Sequence, residues 1–287
     1  YKVNKNEKKF KDYTKMSYNY FNSGGKSEVW GDYQKSIDIQ NNLKVIDMDF
    51  KSVNHNPDSI YVHLGLGMGL GHGQGQSDME NALYKSHSNE VYNNLKKIID
   101  ICNKNDSVGK PYRIETRTLG KTSVNNIRYI IQSLSILKHM KSLNINNVNI
   151  IEIGGGYGGL SYFIKNLCYI FNIKVTSYTI YDLKNVCKFQ SKIQEYLGHK
   201  IITKTLPDNT NLNENSFLIT NYALSELSED LIKQYNDLVL PYVKNGYITW
   251  NVIPFDIRYI NKIQFEKNQK IDIDTEKFCW GDLIIRF

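Results

Sequence analysis

Residues 150–163 read Ile-Ile-Glu-Ile-Gly-Gly-Gly-Tyr-Gly-Gly-Leu-Ser-Tyr-Phe. A short apolar strand pattern surrounds Glu152, a turn dense in glycine follows, and an apolar helical pattern begins at once. Glycine suits such a turn because backbone N–H groups must come close to a ligand, and because a Cβ penalises the positive φ angles expected there. The stretch therefore predicts a loop that binds a nucleotide cofactor.

Two other glycine-rich loops do not fit this stretch. A triphosphate loop would end in Gly-Lys-Ser or Gly-Lys-Thr, which is missing here. A dinucleotide loop reads Gly-x-Gly-x-x-Gly and has its acidic residue roughly 20 residues downstream, whereas Glu152 stands just before the turn. An apolar pair followed by Glu, one residue and Gly-x-Gly resembles the first motif of the Rossmann-like S-adenosylmethionine-dependent methyltransferases. The alternative is a glycine turn that merely packs a strand on a helix.

A second landmark is the β-branched and aromatic run at residues 174–181, which ends at Asp182. An acidic residue at the tip of the second strand would lie beside the glycine turn, where a carboxylate can accept hydrogen bonds from both ribose hydroxyls. Asp182 could also cap the helix that is predicted to start near Leu183. The two roles are compatible.

A third strand-like run, Ser216–Thr220, leads into Asn-Tyr-Ala-Leu-Ser-Glu-Leu at 221–227. In a doubly wound sheet this strand end faces the same crevice. Together with Tyr-Asp-Leu at 181–183 and with Gln190 and Tyr196, the segment resembles the sugar O-methyltransferase branch of that superfamily. The resemblance is close over residues 124–253, about half of the chain, and weaker elsewhere.

The resemblance implies S-adenosylmethionine as the cofactor. The residues that it places around the cofactor are Glu152, Gly154, Gly155, Gly156, Tyr157, Gly158, Asp182, Leu183, Asn221, Tyr222 and Arg128. Arg128 enters because a helix before the first strand covers the cofactor in that fold, so that Arg128 or Gln132 would reach the methionine carboxylate. An exposed arginine on a helix face is the alternative.

Strands that alternate with helices predict a parallel sheet. The resemblance implies a Rossmann-like α/β fold with seven strands, mostly parallel, whose antiparallel C-terminal edge is a hairpin of the runs 270–274 and 282–287. We predict a mainly helical accessory region at 1–122, for substrate recognition or as a lid, and the cofactor-binding domain at 123–287. Further helices are predicted from Asp78 to about Cys102 and from Val124 to Leu143, the latter capped by Thr122 or Ser123.

Methyl transfer to a sugar hydroxyl needs a base, which contributes about 10²- to 10⁴-fold. Glu226, just past the strand at 216–220, is the first candidate. The alternative is that Glu226 caps the following helix or places a negative charge at its first turn. His63 and His72 are the other candidates. They lie in a segment that has glycine at almost every second position of 65–75, a pattern that predicts a mobile loop near a ligand. A divalent metal would help by polarising the hydroxyl, but no ligand spacing indicates one.

The composition limits the classes of partner that we expect. The net charge of +7 is spread along the chain except for a lysine cluster in the first 15 residues, so a nucleic acid partner is not expected, whereas an anionic sugar or nucleotide-sugar suits a mildly basic protein. Four scattered cysteines indicate neither zinc nor disulfides, and no run is long enough to span a membrane. With no leader pattern, the cytosol is expected. Homo-oligomer formation stays open.

These observations predict an O-methyltransferase that acts on a hydroxyl of a sugar, a sugar-nucleotide or a glycan precursor. Two alternatives remain. One is a methyltransferase for another small phosphorylated metabolite. The other is a catalytically silent scaffold protein with this fold in a glycan-assembly complex, since a fold alone does not prove chemistry.

Overall fold

The computed structural model describes residues 28–49, 74–209, 212–213, 215–250, 263, 271–275 and 283–287. Its main element is one seven-stranded sheet. The strands of this sheet are β3 (Asn147–Ile153), β4 (Lys174–Tyr181), β5 (Ile202–Lys204), β6 (Ser216–Asn221), β7 (Asn245–Trp250), β8 (Asp272–Thr275) and β9 (Leu283–Arg286), which lie in the order β5-β4-β3-β6-β7-β9-β8. The first five are parallel to one another, while β9 is antiparallel to both β7 and β8. The predicted mixed α/β fold with an antiparallel C-terminal edge is confirmed.

The centre of the sheet is β3, which pairs with β4 on one side and with β6 on the other. Glu152 lies opposite Ile180 of β4 and Ile219 of β6. The three strands are parallel and therefore end at the same edge of the sheet. The strand order turns in opposite directions from β3, so this edge is the switch point at which a doubly wound sheet opens a ligand crevice.

The helices are α1 (Glu28–Asn41), α2 (Gln74–Asn93), α3 (Leu95–Asn105), α4 (Val124–Ser142), α5 (Gly159–Leu167), α6 (Lys184–Tyr196), α7 (Ala223–Glu226) and α8 (Glu229–Leu238). Apolar side chains of β3 alternate between the faces of the sheet. Ile150 belongs to the hydrophobic cluster that includes residues of α4, α5 and α6, whereas Ile151 belongs to the cluster that includes residues of α8. Both faces are thus covered by helices, as an all-parallel centre requires.

The helix predicted from Asp78 to Cys102 is corrected by the structure. Two helices occupy this stretch, because α2 ends at Asn93 and α3 begins at Leu95. Within α2 the backbone also departs from helical angles at His87, where φ is −141°. His87 is buried, and its Nε2 lies 3.1 Å from Ser135 Oγ on α4. The kink thus accompanies a tertiary hydrogen bond, which no local pattern of the sequence reveals.

The helix predicted at 124–143 is confirmed as α4, whose N-cap is Ser123. The Ser123 hydroxyl accepts a hydrogen bond from the backbone N–H of Asn126 at 3.4 Å. Three short strands were not predicted. They are β5 at one edge of the sheet and a two-stranded hairpin, β1 (Arg113–Glu115) with β2 (Lys121–Ser123), which leads directly into α4.

The described residues before position 123 share a hydrophobic core with the rest of the chain. Met79 and Leu83 of α2 and Ile98 of α3 belong to the same hydrophobic cluster as Ile127 and Ile130 of α4. Helix α1 is tied to α6 by a hydrogen bond from Asn41 Nδ2 to the carbonyl oxygen of Asn185, 2.9 Å long. No helix in the described ranges is long and apolar enough to cross a membrane.

Candidate cofactor site

The glycine loop, residues 154–158, connects β3 to α5 at the carboxyl edge of the sheet. Gly154, Gly156 and Gly158 have φ angles of +70°, +55° and +86°. The expectation that this turn uses positive φ is therefore confirmed at three positions. At Gly154 a side chain would also collide with a neighbour, because a Cβ there would lie 2.2 Å from the Cβ of Ala223.

Asp182 lies beside the loop at the end of β4. Its Oδ2 accepts hydrogen bonds from the backbone N–H of Gly155 at 3.1 Å and from Gln190 Nε2 at 2.8 Å. Its Oδ1 accepts from the N–H of Leu183 at 2.8 Å. A carboxylate offers about four lone-pair positions, so three are used and one remains on Oδ1. The structure brings Asp182 to the loop as the sequence predicted, with capacity for one further donor.

Capping by Asp182 takes a different form from the one expected. Leu183 has extended backbone angles and is the N-cap of α6, and its own side chain makes no capping bond. Asp182 therefore stands one position before the cap. The side chain of Leu183 is 42 % exposed, so an apolar surface adjoins the Asp182 carboxylate at the rim of the crevice.

Helix α6 holds the loop through two amides one turn apart. Gln190 Nε2 donates to the carbonyl oxygen of Gly156 at 2.8 Å, as well as to Asp182. Gln194 Nε2 donates to the carbonyl oxygen of Tyr157 at 3.0 Å. The sequence resemblance had pointed to Gln190 but not to Gln194. An i, i+4 pair of glutamines on the buried face of a helix is the signal that could have found both.

Glu152 lies beneath the loop, with 2 % of its surface exposed. Its Oε2 accepts a hydrogen bond from the hydroxyl of Tyr178 at 2.9 Å. Burial raises the pKa of Glu152 to about 8, against the lowering effect of the Tyr178 hydroxyl, and the neighbouring Asp182 carboxyl raises it further. Buried carboxyls take up protons in this way because the charged form loses its hydration. Glu152 thus supports the loop from below as a neutral acid near pH 7.

Asp182 shows the same effect to a smaller degree. Surrounding protein atoms raise its pKa to about 7, although the hydrogen bonds from Leu183, Gln190 and Gly155 stabilise the carboxylate and lower the pKa. Two carboxyls that both titrate near neutrality therefore meet at the glycine loop. Clusters of perturbed carboxyls in a crevice are typical of functional sites.

Asn221 and Tyr222 stand at the end of β6, on the other side of the loop. The Thr249 hydroxyl of β7 donates to Asn221 Oδ1 at 2.7 Å, and the Tyr222 N–H donates to the carbonyl oxygen of Thr249 at 2.8 Å. Tyr222 has φ +68° and ψ −33°, a conformation that side chains disfavour. Strained backbone that the surroundings enforce concentrates at functional sites.

Arg128 of α4 reaches this strand end. Its guanidinium carbon lies 4.6 Å from the centroid of the Tyr222 ring, and only 5 % of Arg128 is exposed. The alternative of an exposed arginine on a helix face is thereby excluded. Gln132, the other candidate on this helix, is also buried.

The three candidate bases stay untested. The backbone of Glu226 forms the last residue of α7, four residues beyond Tyr222, while its side chain lies outside the described part of the structure. His63 and His72, together with their glycine-rich segment, fall outside the described residues as well. Across the described ranges no three His, Cys, Asp or Glu side chains form a group that could hold a metal ion.

The structure defines a Rossmann-like α/β protein with a glycine loop at the carboxyl edge of its sheet. Solved structures to which the chain is similar include a ribosomal protein L11 methylase from Lactobacillus delbrueckii subsp. bulgaricus (TM-score 0.37, 14 % identity, covering 54 % of this chain and 77 % of that one). Others are TrmK of M. capricolum with S-adenosyl-homocysteine (0.35, 15 %, 52 % and 65 %) and a magnesium protoporphyrin IX methyltransferase from Synechocystis (0.36, 12 %, 56 % and 84 %). No protein-family model and no curated protein matches the sequence.

Proposed function

We propose that this protein is an S-adenosylmethionine-dependent O-methyltransferase whose acceptor is a hydroxyl of a sugar, a sugar-nucleotide or a glycan precursor. The observation that carries the cofactor assignment is the position of Asp182, whose carboxylate is tied to the glycine loop and keeps one lone pair on Oδ1. One ribose hydroxyl can donate to that lone pair. Engagement of both hydroxyls would require Gly155 or Gln190 to give up its bond.

The other described groups at the same edge of the sheet fit the remainder of this cofactor. Arg128, fixed against the Tyr222 ring, offers a cation to a carboxylate. The glycine loop lies at the same edge of the sheet, and its positive φ angles at Gly154, Gly156 and Gly158 suit glycine, which lets a ligand approach the backbone closely. The donor set therefore suits a ligand with a ribose at one end and an amino-acid carboxylate at the other.

When bound, S-adenosylmethionine supplies a methyl group on a positively charged sulfur. The chain must hold the acceptor oxygen in line with that methyl carbon and sulfur, because positioning provides most of the acceleration in such a displacement. The acceptor oxygen would bond to the methyl carbon as the sulfur–carbon bond breaks, and the hydroxyl proton of the acceptor would pass to a base of this chain. We assign this base to Glu226, with His72 and His63 as the alternatives.

The sugar acceptor rests on the resemblance of residues 181–183 and 221–227 to the sugar O-methyltransferase branch. The net charge of +7 is compatible with an anionic acceptor such as a nucleotide-sugar. We propose that the cofactor-binding domain spans 123–287 and that the region at 1–122 recognises the acceptor.

Isothermal titration with S-adenosylmethionine and S-adenosylhomocysteine tests the cofactor assignment. We expect micromolar dissociation constants for wild type and at least about 10-fold weaker binding for Asp182→Ala, since a charge-assisted hydrogen bond is worth about 1.5–3 kcal/mol. Asp237→Ala is the matched control, because Asp237 is exposed on α8 and pairs only across the surface with Lys233, 3.3 Å away. No heat for either ligand from folded wild type would refute the assignment.

Transfer of a labelled methyl group to a panel of nucleotide-sugars tests the acceptor class. Product with sugar acceptors and its loss in Glu226→Gln at unchanged cofactor affinity would support both assignments. Turnover only with other phosphorylated metabolites would show that the acceptor belongs to that class and is not a sugar. Cofactor binding without turnover on either panel would favour the scaffold alternative.

A further inference from the structure

The side chain of Tyr157 points away from the crevice and into the molecule. Only 3 % of the residue is exposed, and its hydroxyl accepts a hydrogen bond from Asn105 Nδ2 at 2.8 Å. Asn105 is the last residue of α3, a helix of the region at 1–122. A residue of the glycine loop is thus bonded to a helix that lies 52 positions earlier in the chain.

The amide of Asn105 is fixed by a second bond. Its Nδ2 also donates to Asn126 Oδ1 on α4, again at 2.8 Å. The Nδ2 group of Asn126 in turn donates to the carbonyl oxygen of Cys102 at 3.1 Å and to Thr122 Oγ1 at 2.8 Å. Both amide groups use two hydrogens each, so neither can rotate without losing bonds.

A buried carboxyl anchors the far end of this chain of bonds. Asp106 Oδ2 accepts from the Ser123 N–H at 2.9 Å and from the Thr122 hydroxyl at 3.3 Å. These contacts fix the start of α4, the helix that carries Arg128. The end of α3 is therefore connected both to the glycine loop and to the helix that reaches the opposite side of the crevice.

Tyr157 is also fixed at its ring and at its backbone. Its ring meets that of Tyr129 edge-on, with centroids 6.0 Å apart. Gly159 leaves room for both rings, since a Cβ there would lie 2.5 Å from Tyr129 and 2.7 Å from Tyr157. The carbonyl oxygen of Tyr157 is bound by Gln194 from the other side. Displacement of the ring would therefore act on the backbone of the glycine loop.

We propose that Asn105 is a positioning residue of the cofactor site, which sets the conformation of the glycine loop through the hydroxyl of Tyr157. Helix α3 then helps to position the glycine loop in addition to packing against the core. The proposal rests on the cofactor function proposed for the loop. Asn105 does not touch the crevice, so its effect on a ligand passes through Tyr157.

The variants Asn105→Ala and Tyr157→Phe test this proposal in the full chain. Tyr157→Phe removes one hydroxyl and keeps the ring, so it remains informative if Asn105→Ala does not fold. Ser135→Ala is the matched control. It removes another hydrogen bond between helices, the one with His87, away from the glycine loop. All binding is measured at a temperature where each variant is fully folded.

We expect the dissociation constant for S-adenosylhomocysteine to rise about 10-fold in Asn105→Ala and in Tyr157→Phe and to stay unchanged in Ser135→Ala, although all three lower the thermal midpoint. The double variant should bind about as weakly as Asn105→Ala alone, because both substitutions remove the hydrogen bond between Asn105 and Tyr157. Lower thermal midpoints with wild-type affinity would overturn the proposal, since Asn105 would then only join helices.

Hydrogen exchange of the backbone amides at 154–158, without ligand, separates this proposal from the proposed function. Faster exchange in Asn105→Ala and Tyr157→Phe than in wild type and Ser135→Ala supports the positioning role even if wild type binds no S-adenosylhomocysteine. Unchanged loop exchange in both variants overturns it, whatever the ligand does.

Discussion

The Oδ2 atom of Asp182 accepts hydrogen bonds from the Gly155 N–H at 3.1 Å and from Gln190 Nε2 at 2.8 Å. Strand β4, helix α6 and the glycine loop therefore meet at one oxygen atom. Burial raises the pKa of this carboxyl to about 7, and the Gln190 bond acts against that rise. The charge on Asp182, and with it the capacity to accept from a ribose hydroxyl, changes within the neutral pH range.

We predict that S-adenosylhomocysteine binds more tightly as the pH rises from 5.5 to about 7 and that its affinity levels off above. Below the pKa, affinity should change by up to about 10-fold per pH unit, because the ligand binds the ionised carboxyl. Titration calorimetry across this range measures the midpoint. A flat profile would mean that Asp182 is not the ribose acceptor.

Gln190→Met should move that midpoint to higher pH. Methionine has a similar volume but donates no hydrogen bond, so the Asp182 carboxylate loses a stabilising donor and its pKa rises. Affinity at pH 8 should fall less than affinity at pH 6.5. Asp237→Asn on the exposed face of α8 serves as the control and should leave the midpoint in place.

Glu152 links the stability of the ligand-free protein to pH. Its pKa is about 8 in the folded protein against an ordinary 4.5, so its stabilising effect is fully present below pH 4.5 and is lost as the pH rises through 8. Between pH 6.5 and 8 we predict that the free energy of unfolding falls by up to about 1.4 kcal/mol per pH unit from this group. In Glu152→Gln this slope should be smaller, as urea unfolding at several pH values would show.

Two buried histidines do not change their charge within the pH range of this test. Burial lowers the pKa of His87 and of His199 to about 4. Their stabilising effect is present above pH 6.5 and is lost only as the pH falls toward 4. Glu195→Gln, at an exposed position of α6, is the control variant. Equal slopes for wild type and Glu152→Gln above pH 6.5 would contradict the prediction.

The glycine loop and Asp182 could be predicted because their signals are local. An acid, a glycine-dense turn and a helical pattern follow one another within 14 residues, and the end of the next strand is marked by one carboxylate. The mostly parallel sheet followed from the alternation of strands and helices, and its antiparallel C-terminal edge followed from the family resemblance. Only the structure could show that Arg128 is buried, since an arginine on a helix is more often exposed.

The contacts that hold the loop could not be predicted. Gln194 lies 37 positions from its partner Tyr157, and Asn105 lies 52 positions from the same residue. Such pairs follow from how helices pack. The i, i+4 spacing of Gln190 and Gln194 marks a polar face of a helix, but nothing in the sequence identifies the residues that these side chains contact. The break between α2 and α3 was missed for a related reason, because the apolar stripe continues across it.

Gly154 and Gly198 form a matched pair for a test of the loop. Their φ angles are +70° and +72°, yet a Cβ at Gly154 would lie 2.2 Å from Ala223 whereas a Cβ at Gly198 meets nothing within 4 Å. Gly198→Ala should cost about 1–2 kcal/mol through backbone strain alone. Gly154→Ala should cost about 1–3 kcal/mol more, because two Cβ atoms cannot share that space. Urea unfolding measures both, and equal losses would show that Ala223 does not pack against the loop.

No feature of the sequence marks the backbone strain at Tyr222, because tyrosine gives no signal for φ +68°. The structure predicts an unusual order of stabilities there. Tyr222→Gly removes the strain together with the ring, whereas Tyr222→Ala removes the ring and keeps a Cβ. The glycine variant should therefore be more stable than the alanine variant by about 1–2 kcal/mol, the reverse of the usual preference inside a helix.

Affinity and stability should rank Tyr222→Gly and Tyr222→Ala in opposite orders. Both variants lose the ring that faces Arg128 at 4.6 Å, a contact worth about 0.5–2 kcal/mol. Both should therefore bind S-adenosylhomocysteine more weakly than wild type, and the added freedom of glycine should make Tyr222→Gly the weaker binder despite its greater stability. Tyr222→Phe keeps the ring and the strain and should bind more tightly than either of these variants. Thermal unfolding and calorimetry on the three variants give both orders, and an alanine variant more stable than the glycine variant would show that residue 222 is not strained.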